Sequence, residues 1–288
     1  MKLFTNDQIK LKKQIELKKQ IELKQEYNKR CEKINNNIKI WNLYHSRNIP
    51  FILKDNYDSI IPLNLYTCWH TKELPQLMKE TYDTIIYQNS EFSHFLYDEE
   101  DCKEFIKNNF DETVLEAYNS LIPAAYKSDL WRYCILYING GIYFDIKFKC
   151  MNGFKFIHLT EKEYFTRDLG EKDTLNGLII TLPNNEILLK CINQIVTNVK
   201  NKYYGDGCLD PTGPGLLGNF STIIEKQNME LNFSFYYIEN KLNYYTINYH
   251  NNNNINILQF YCEYRKEQSK NQLIPHYGEL WNNRKIYK

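Results

Sequence analysis

No apolar run in this chain approaches the roughly 18 residues that a membrane-spanning helix needs, and its eight cysteines include no Cys-x-x-Cys pair. The first absence argues against a transmembrane segment. The second, with no tight Cys/His cluster around positions 31, 68, 102, 134, 150, 191, 208 and 262, argues against a zinc site. Scattered cysteines in a chain this long read as reduced core thiols of a cytosolic protein. The N-terminus is too rich in Lys and Glu for a signal peptide, so a soluble, cytoplasmic protein is expected. An excess of charge of either sign is missing too. With 36 Lys+Arg against 35 Asp+Glu the net charge is +1, which offers no global field for nucleic acid or an anionic membrane. That balance hides an asymmetry. Residues 1–40 carry eleven Lys/Arg against five Asp/Glu, a net of +6, which leaves −5 for the rest of a chain that totals +1.

What is present suffices for a full core: 288 residues, 43% of them apolar. Residues 9–26, IKLKKQIELKKQIELKQE, repeat LKKQIE and favour helix. Six residues turn about 600° at 3.6 residues per turn, so Leu11, Leu17 and Leu23 do not share one seam and a long coiled coil is disfavoured. Residues 1–60 therefore read as a basic helical arm that is solvated or docks on a partner, or self-associates, and 61–288 as the folded domain. From Ile61 the texture changes. LNLYTCW (63–69) and SHFLYD (93–98) suit strands, while EEDCKEFIKNN (99–109) and DETVLEAYNS (111–120) suit helices, the latter with an acidic first turn. LNGLIITLP (175–183) suits a buried strand and NEILLKCINQIVTNVK (185–200) a helix. DPTGPGLLGNF (210–220) and the Asn-rich stretch 248–256 read as loops. Strands alternating with helices argue an α/β domain with a largely parallel sheet.

Residues 124–149, AAYKSDLWRYCILYINGGIYFDIKFK, read as a helix, a Gly-Gly stop and one strand. Asp129 and Arg132 are neighbours on one helix face, with Ala125 and Leu136 within about 40° of Asp129 at 100° per residue, so the stripe is no evident solvent face. The pair is either a structural salt bridge or a grip for a polar ligand. On the strand, alternation points Asp145 and Lys147 one way and Phe144, Ile146 and Phe148 the other. Ligands of open α/β sheets bind beyond the carboxyl ends of strands, so Asp145 is either a site residue or an ordinary strand-end acid paired with Lys147.

Residues 124–154 resemble the signature of the DXD-type sugar-binding-region glycosyltransferases, a group that includes fungal Golgi mannosyltransferases and is more distantly similar to the large clostridial glucosylating toxins. The shared pattern, A-x-x-SD-x-x-RY-x-x-L-x-x-x-GG-x-Y-x-D-x-D, is matched at Ala125, Ser128, Asp129, Arg132, Tyr133, Leu136, Gly140, Gly141, Tyr143 and Asp145. Weaker echoes run from about 61 to 282. IPLNLYTCWHTKELPQ resembles the opening strand, whose Trp69 position can stack on the donor's base. TGPGLL resembles an acceptor-side loop, and HYGELW, with Trp281, resembles a segment that closes over the donor. The resemblance implies a GT-A fold, a Rossmann-like nucleotide-sugar-binding domain, and transfer of a sugar from a UDP- or GDP-sugar to a glycan, lipid-linked or protein acceptor with anomeric retention. It gives Ala125, Ser128 and Tyr143 to the donor site, assigns Asp129 and Arg132 to the donor sugar's hydroxyls and Asp145 to the ribose or the metal shell, and supplies no nucleophile or general base.

The sequence departs from the pattern at Lys147. The second acid of DXD ligates Mn²⁺ or Mg²⁺, and an ammonium cannot. Three readings follow: Lys147, helped by Lys149, faces the diphosphate itself; Asp145 keeps a metal with His276 or Glu279; or catalysis is lost and a nucleotide-sugar- or glycan-binding protein remains. A sugar-1-phosphate nucleotidyltransferase is the rival among enzymes, but LNLYTCWHTKELP lacks the Gly-rich phosphate loop that class carries.

Overall fold

The computed structural model describes residue 25 and residues 50–238, 242–250 and 255–288. The LKKQIE repeat and Cys31 lie outside the described residues. The chain divides into two compact units, one of Met1–Asn48 with Tyr236–Asn243 and one of Ile49–Phe235 with Tyr244–Lys288. The first residues of the larger unit already belong to its core. Phe51 is buried edge-to-face against Phe154, and Ile61, whose N–H donates to the Thr160 carbonyl, is buried as well.

The α/β expectation holds. In chain order the elements are β1 (Asn64–Cys68), α1 (Gln76–Gln88), β2 (Ser93–Tyr97), α2 (Glu99–Asn109), α3 (Glu112–Ser120), α4 (Ala124–Asn139), β3 (Gly141–Phe144) and β4 (Phe148–Cys150). They continue as β5 (Tyr164–Arg167), β6 (Thr174–Thr181), α5 (Glu186–Lys200), α6 (Pro214–Gly218), α7 (Ile223–Gln227), β7 (Leu231–Ile238), β8 (Leu242–Tyr249), β9 (Ile255–Phe260), α8 (Tyr264–Asn271) and α9 (Tyr277–Asn282). Local chemistry sets several boundaries. Asp98 and Asp101 form a capping box at the start of α2, and Asp111 and Asn185 accept the first amide N–H groups of α3 and α5. Gly140 ends α4 at φ 61, where an added Cβ would lie 2.7 Å from the ring of Pro183.

Strand alternation sorts the core onto two faces. Tyr66, Tyr143 and Ile179 join a cluster with α3, α4 and α5, while Leu65, Ile142, Phe144, Leu178 and Ile180 join one with Met78 and Ile85 of α1. α4 is apolar nearly all round, with Leu130, Trp131, Tyr133, Cys134 and Ile135 fully buried. That makes it an internal helix, and a polar pair on it is buried by construction.

Four expectations need correction. The sheet is mixed rather than largely parallel: β2–β1, β1–β3 and β5–β7 pair parallel, whereas β3–β6, β5–β6, β4–β9 and β8–β9 pair antiparallel. Nor is GIYFDIKFK one strand. β3 stops at Phe144, the Asp145 carbonyl accepts the Phe148 N–H at 3.0 Å across a turn, and β4 starts beside β9. The loop expected at 210–220 holds the short helix α6, and the expected 248–256 loop is narrowed because β8 reaches Tyr249 and β9 begins at Ile255.

That break shapes the sheet. The strand order is β2-β1-β3-β6-β5-β7-β8-β9-β4, so β3 and β4 are six strand steps apart, about 29 Å if laid flat at ~4.8 Å per step. Only residues 145–147 separate them, and such a link reaches at most about 14 Å. The sheet has to curl until β9 and β4 stand beside the end of β3. The point of closure is the Asp145–Lys147 turn. Among the described residues no helix is long and apolar enough to cross a membrane.

Candidate active site at the carboxyl edge of the parallel strands

β1 and β3 run parallel and end at Cys68 and Phe144, so the residues just beyond them lie at one edge. α4 supplies Asp129 and Arg132 to that edge. Asp129 is 7% exposed, and its two oxygens each accept one hydrogen bond, Oδ1 from Asn176 Nδ2 and Oδ2 from Thr212 Oγ1, both at 2.8 Å. Arg132 is 5% exposed. Its Nε donates to the Ser128 carbonyl at 3.2 Å, Nη1 to the Asn176 carbonyl at 2.8 Å and Nη2 to Ser128 Oγ at 2.9 Å. The same fork stands 3.4 Å from both Asp129 and Asp145, over the face of Tyr143 at 4.4 Å. Each of the three guanidinium nitrogens thus donates one hydrogen bond, while the two carboxylates lie at ion-pair distance only.

Asp145 continues β3 by one amide, whose N–H donates to the Gly177 carbonyl at 2.8 Å. Tyr143 Oη donates to its Oδ1 at 2.8 Å, and Lys147 Nζ lies 2.5 Å from its Oδ2. The expected proximity of Asp145 and Lys147 is real, but the turn, not strand alternation, produces it. Gly177 makes room: a Cβ there would lie 2.6 Å from Asp145 Oδ2. Burial pushes the Asp145 carboxyl up, and the Lys147 and Arg132 cations more than offset it, so the group stays below the ordinary carboxylate range. Asp129 goes the other way. Burial outweighs Arg132, Thr212 and Asn176 and holds its carboxyl above the ordinary value.

Other expected residues fall at varying distances from this network. Ser128 joins it through Arg132, and the Cys68 thiol reaches Ser128 Oγ at 2.9 Å. Ala125 is exposed one turn before Asp129. Trp69 follows β1, its indole N–H buried without an acceptor among the described residues. Trp281 donates its indole N–H to the Tyr204 carbonyl at 2.6 Å. One turn earlier Tyr277 packs 6.0 Å from the Tyr126 ring. Burial, first, and then charges that include the Asp129 and Asp145 carboxylates push its hydroxyl up to about 12.

Among the described residues the side chains alone do not build a metal site. A hard divalent cation asks for several oxygen ligands. Asp145 is engaged by Lys147, Tyr143 and Arg132, and among the described residues no three His, Cys, Asp or Glu side chains stand together. His276 and Glu279 do not join Asp145 in such a group. His276 caps α9, its Nδ1 accepting the Gly278 N–H at 3.2 Å, and both residues are exposed. Lys149 is lost as a helper as well. It pairs in register with Gln259 inside β4, so it leaves the sheet on the face opposite Phe148, whose ring Lys147 covers.

Asn176, Gly177 and Thr212 are the site residues that the sequence reading missed. A polar residue and a glycine interrupting the apolar run LNGLIIT were the available signal. Thr212 opens TGPGLL, the loop the resemblance gave to the acceptor side, and a Cβ at Gly213 would come within 3.3 Å of Asp129.

The unit thus sets a buried acid–base pair and a charged turn at the carboxyl edge of its parallel strands, the edge where open α/β sheets bind ligands. Residues 75–165 match the family described as the glycosyltransferase sugar-binding region containing the DXD motif. An uncharacterized glycosyltransferase of Acanthamoeba polyphaga mimivirus is 35% identical over 107 residues, 34% of this chain, and the match spans only 40% of that protein's length. Among solved structures, the PaToxG glycosyltransferase is similar over 55% of this chain and 68% of its own, with 19% identity and a TM-score of 0.43. The ligand-free glycosyltransferase domain of the YGT toxin is similar over 59% and 67%, with 12% identity and a TM-score of 0.36.

Proposed function

We propose that this chain is a glycosyltransferase with a GT-A arrangement that moves a sugar from a UDP- or GDP-sugar to an acceptor hydroxyl, with retention at the anomeric carbon. One observation carries the reading: the continuous line of charges Asp129, Arg132, Asp145 and Lys147 at the strand edge, inside the family's sugar-binding region. Asp129 keeps lone-pair sites free on both oxygens and takes donor sugar hydroxyls. Arg132, its donors already engaged, is a positioning residue that holds the two carboxylates apart and aimed. Asp145-Ile146-Lys147 occupies the place of the DXD motif.

In the reaction the bond from the anomeric carbon to the donor's phosphate oxygen breaks, and its electron pair leaves with the nucleoside diphosphate. The acceptor oxygen bonds the same carbon, and its proton passes to a leaving phosphate oxygen. Negative charge grows on the diphosphate, so a cation must face it. In the DXD family a divalent ion supplies that charge when bound. Here the Lys147 ammonium supplies positive charge in its stead.

The test is a thermal-shift and hydrolysis screen across UDP- and GDP-sugars, with and without Mn²⁺. A ligand that binds the folded state raises stability by RT ln(1 + [L]/Kd), so the right donor raises Tm and is slowly hydrolysed. Asp129→Ala abolishes hydrolysis while the variant still melts cooperatively. If no donor stabilises or turns over, or if Asp129→Ala hydrolyses normally, the reading is wrong.

A further inference from the structure

The four charges of the site cancel. Asp129 and Asp145 are met by Arg132 and Lys147, each within 3.4 Å of a partner carboxylate. A diphosphate arriving there brings negative charge with no spare cation to receive it, unless a further positive group stands at the rim.

Curling of the sheet supplies one. Phe148 of β4 pairs in register with Phe260 of β9, their rings 5.1 Å apart, and Tyr245 of β8 lies 4.8 Å from Phe260 on the same side. These rings make a continuous aromatic platform beside the Asp145 turn. Lys147 Nζ sits 4.8 Å from the Phe260 centroid. Arg265, in the first turn of α8, holds its guanidinium 5.9 Å from the same centroid, 5.9 Å from Tyr245 and 5.6 Å from Tyr264. The two cations are therefore separated by no more than the sum of their distances to one ring. Tyr264 links them to the site, since its buried hydroxyl responds to both the Asp145 carboxylate and the Arg265 guanidinium. Among the described residues Arg265 has no carboxylate within ion-pair distance. It donates only to the side-chain oxygen of Gln268 at 2.9 Å, and it is exposed.

A ring face holds a cation in place without neutralising it, so a charge parked on this platform stays available to an anion. A guanidinium adds what an ammonium lacks, a planar fork that can hold two phosphate oxygens at once. We infer that Arg265 and Lys147, carried on the Phe260 platform, form a two-cation clamp for the donor's diphosphate, with Arg265 providing the uncompensated charge in place of a divalent ion. The clamp rests on the reading of this edge as a nucleotide-sugar site.

The experiment measures binding of inorganic pyrophosphate, UDP and GDP by titration calorimetry in excess EDTA, using the full chain. Four proteins are compared: wild type, Arg265→Ala, Arg265→Lys and Lys266→Ala, the last removing an exposed neighbouring cation that pairs with Glu263. Loss of a charge-assisted contact lowers the affinity of Arg265→Ala by about tenfold or more for pyrophosphate and for the binding nucleotide. Arg265→Lys recovers part of it, and Lys266→Ala binds as wild type. Arg265→Ala binding as tightly as wild type overturns the clamp while leaving the site reading intact. An equal loss in Lys266→Ala overturns it too, since the effect would then be general surface charge. Wild type binding none of the three probes in EDTA, but binding them once Mn²⁺ is added, also overturns the clamp. Binding none under either condition removes the site reading and the clamp with it.

Discussion

The Asp129 carboxylate is held in a buried position by two neutral donors and one cation, and each is a lever on its protonation. Thr212→Val keeps the volume and removes one donor, which leaves a buried carboxylate oxygen without its partner and costs about 1–3 kcal/mol. The sign with pH follows from the direction of the shift. Asp129 titrates above its ordinary value, so its protonated form favours the fold, and that contribution is lost as pH rises through the folded-state value. Asp145 titrates below 3.8, so it stabilises above that value and the gain is lost as pH falls through its lower folded-state value. Donor turnover needs Asp129 ionised. Its acid limb is therefore set by Asp129 rather than Asp145, and Thr212→Val moves that limb to higher pH, a shift readable in a pH–rate profile. A variant that merely loosened the fold would lower the rate without moving the limb. The same scale governs Lys147. Wild-type turnover persists in excess EDTA, whereas Lys147→Ala loses it steeply. Complete loss in EDTA with recovery on adding Mn²⁺ would mean that the metal has stayed.

Two glycines separate what an element needs from what the site needs. Gly140 ends α4 in a left-handed conformation against Pro183, so Gly140→Ala combines backbone strain with a clash and costs more than about 1 kcal/mol. Gly177 has no such conformation; its missing side chain leaves space for Asp145 Oδ2. Gly177→Ala pushes the carboxylate away from Lys147 and removes donor turnover with a smaller loss in urea midpoint than Gly140→Ala. Paired urea melts and hydrolysis rates check the contrast. The same elements mark what could be read in the sequence. Helices α2, α3, α4 and α5 were legible because caps and periodicity are local. The pairing of Asp129 with Arg132 was legible because three residues on a helix make neighbours. The break after Phe144 was not. GIYFDIKFK alternates well enough for one strand, and only the partner strands, β6 for the first half and β9 for the second, decide that it is two. The partnership of Asn176 and Thr212 with Asp129 was not legible for the same reason, since they stand 47 and 83 positions from the carboxylate they hold.

At the scale of the molecule, the site is a product of closure. Its acid–base pair comes from a helix between β2 and β3, its turn joins strands three and nine of the sheet, and its platform comes from the last three strands in that order. All of these belong to the unit of Ile49–Phe235 and Tyr244–Lys288, and both apolar clusters of that unit are built from Phe51 onward. A chain that begins at Ile49 therefore retains every described residue of both apolar clusters and of the charge line. Removing residues 1–48 also takes out twelve Lys/Arg against five Asp/Glu and turns the chain's net charge from +1 to −6. We predict that the shortened protein melts cooperatively within a few degrees of the full chain and hydrolyses the donor at an unchanged rate. Transfer to a large or anionic acceptor is the reaction in which the two proteins can differ, because a basic segment raises encounter rates in a salt-dependent way. Rates measured side by side at low and at physiological salt decide the matter. Equal hydrolysis with a salt-sensitive difference in transfer assigns the segment to acceptor capture. A shortened chain that fails to melt cooperatively shows instead that residues 1–48 are part of the fold that carries the site.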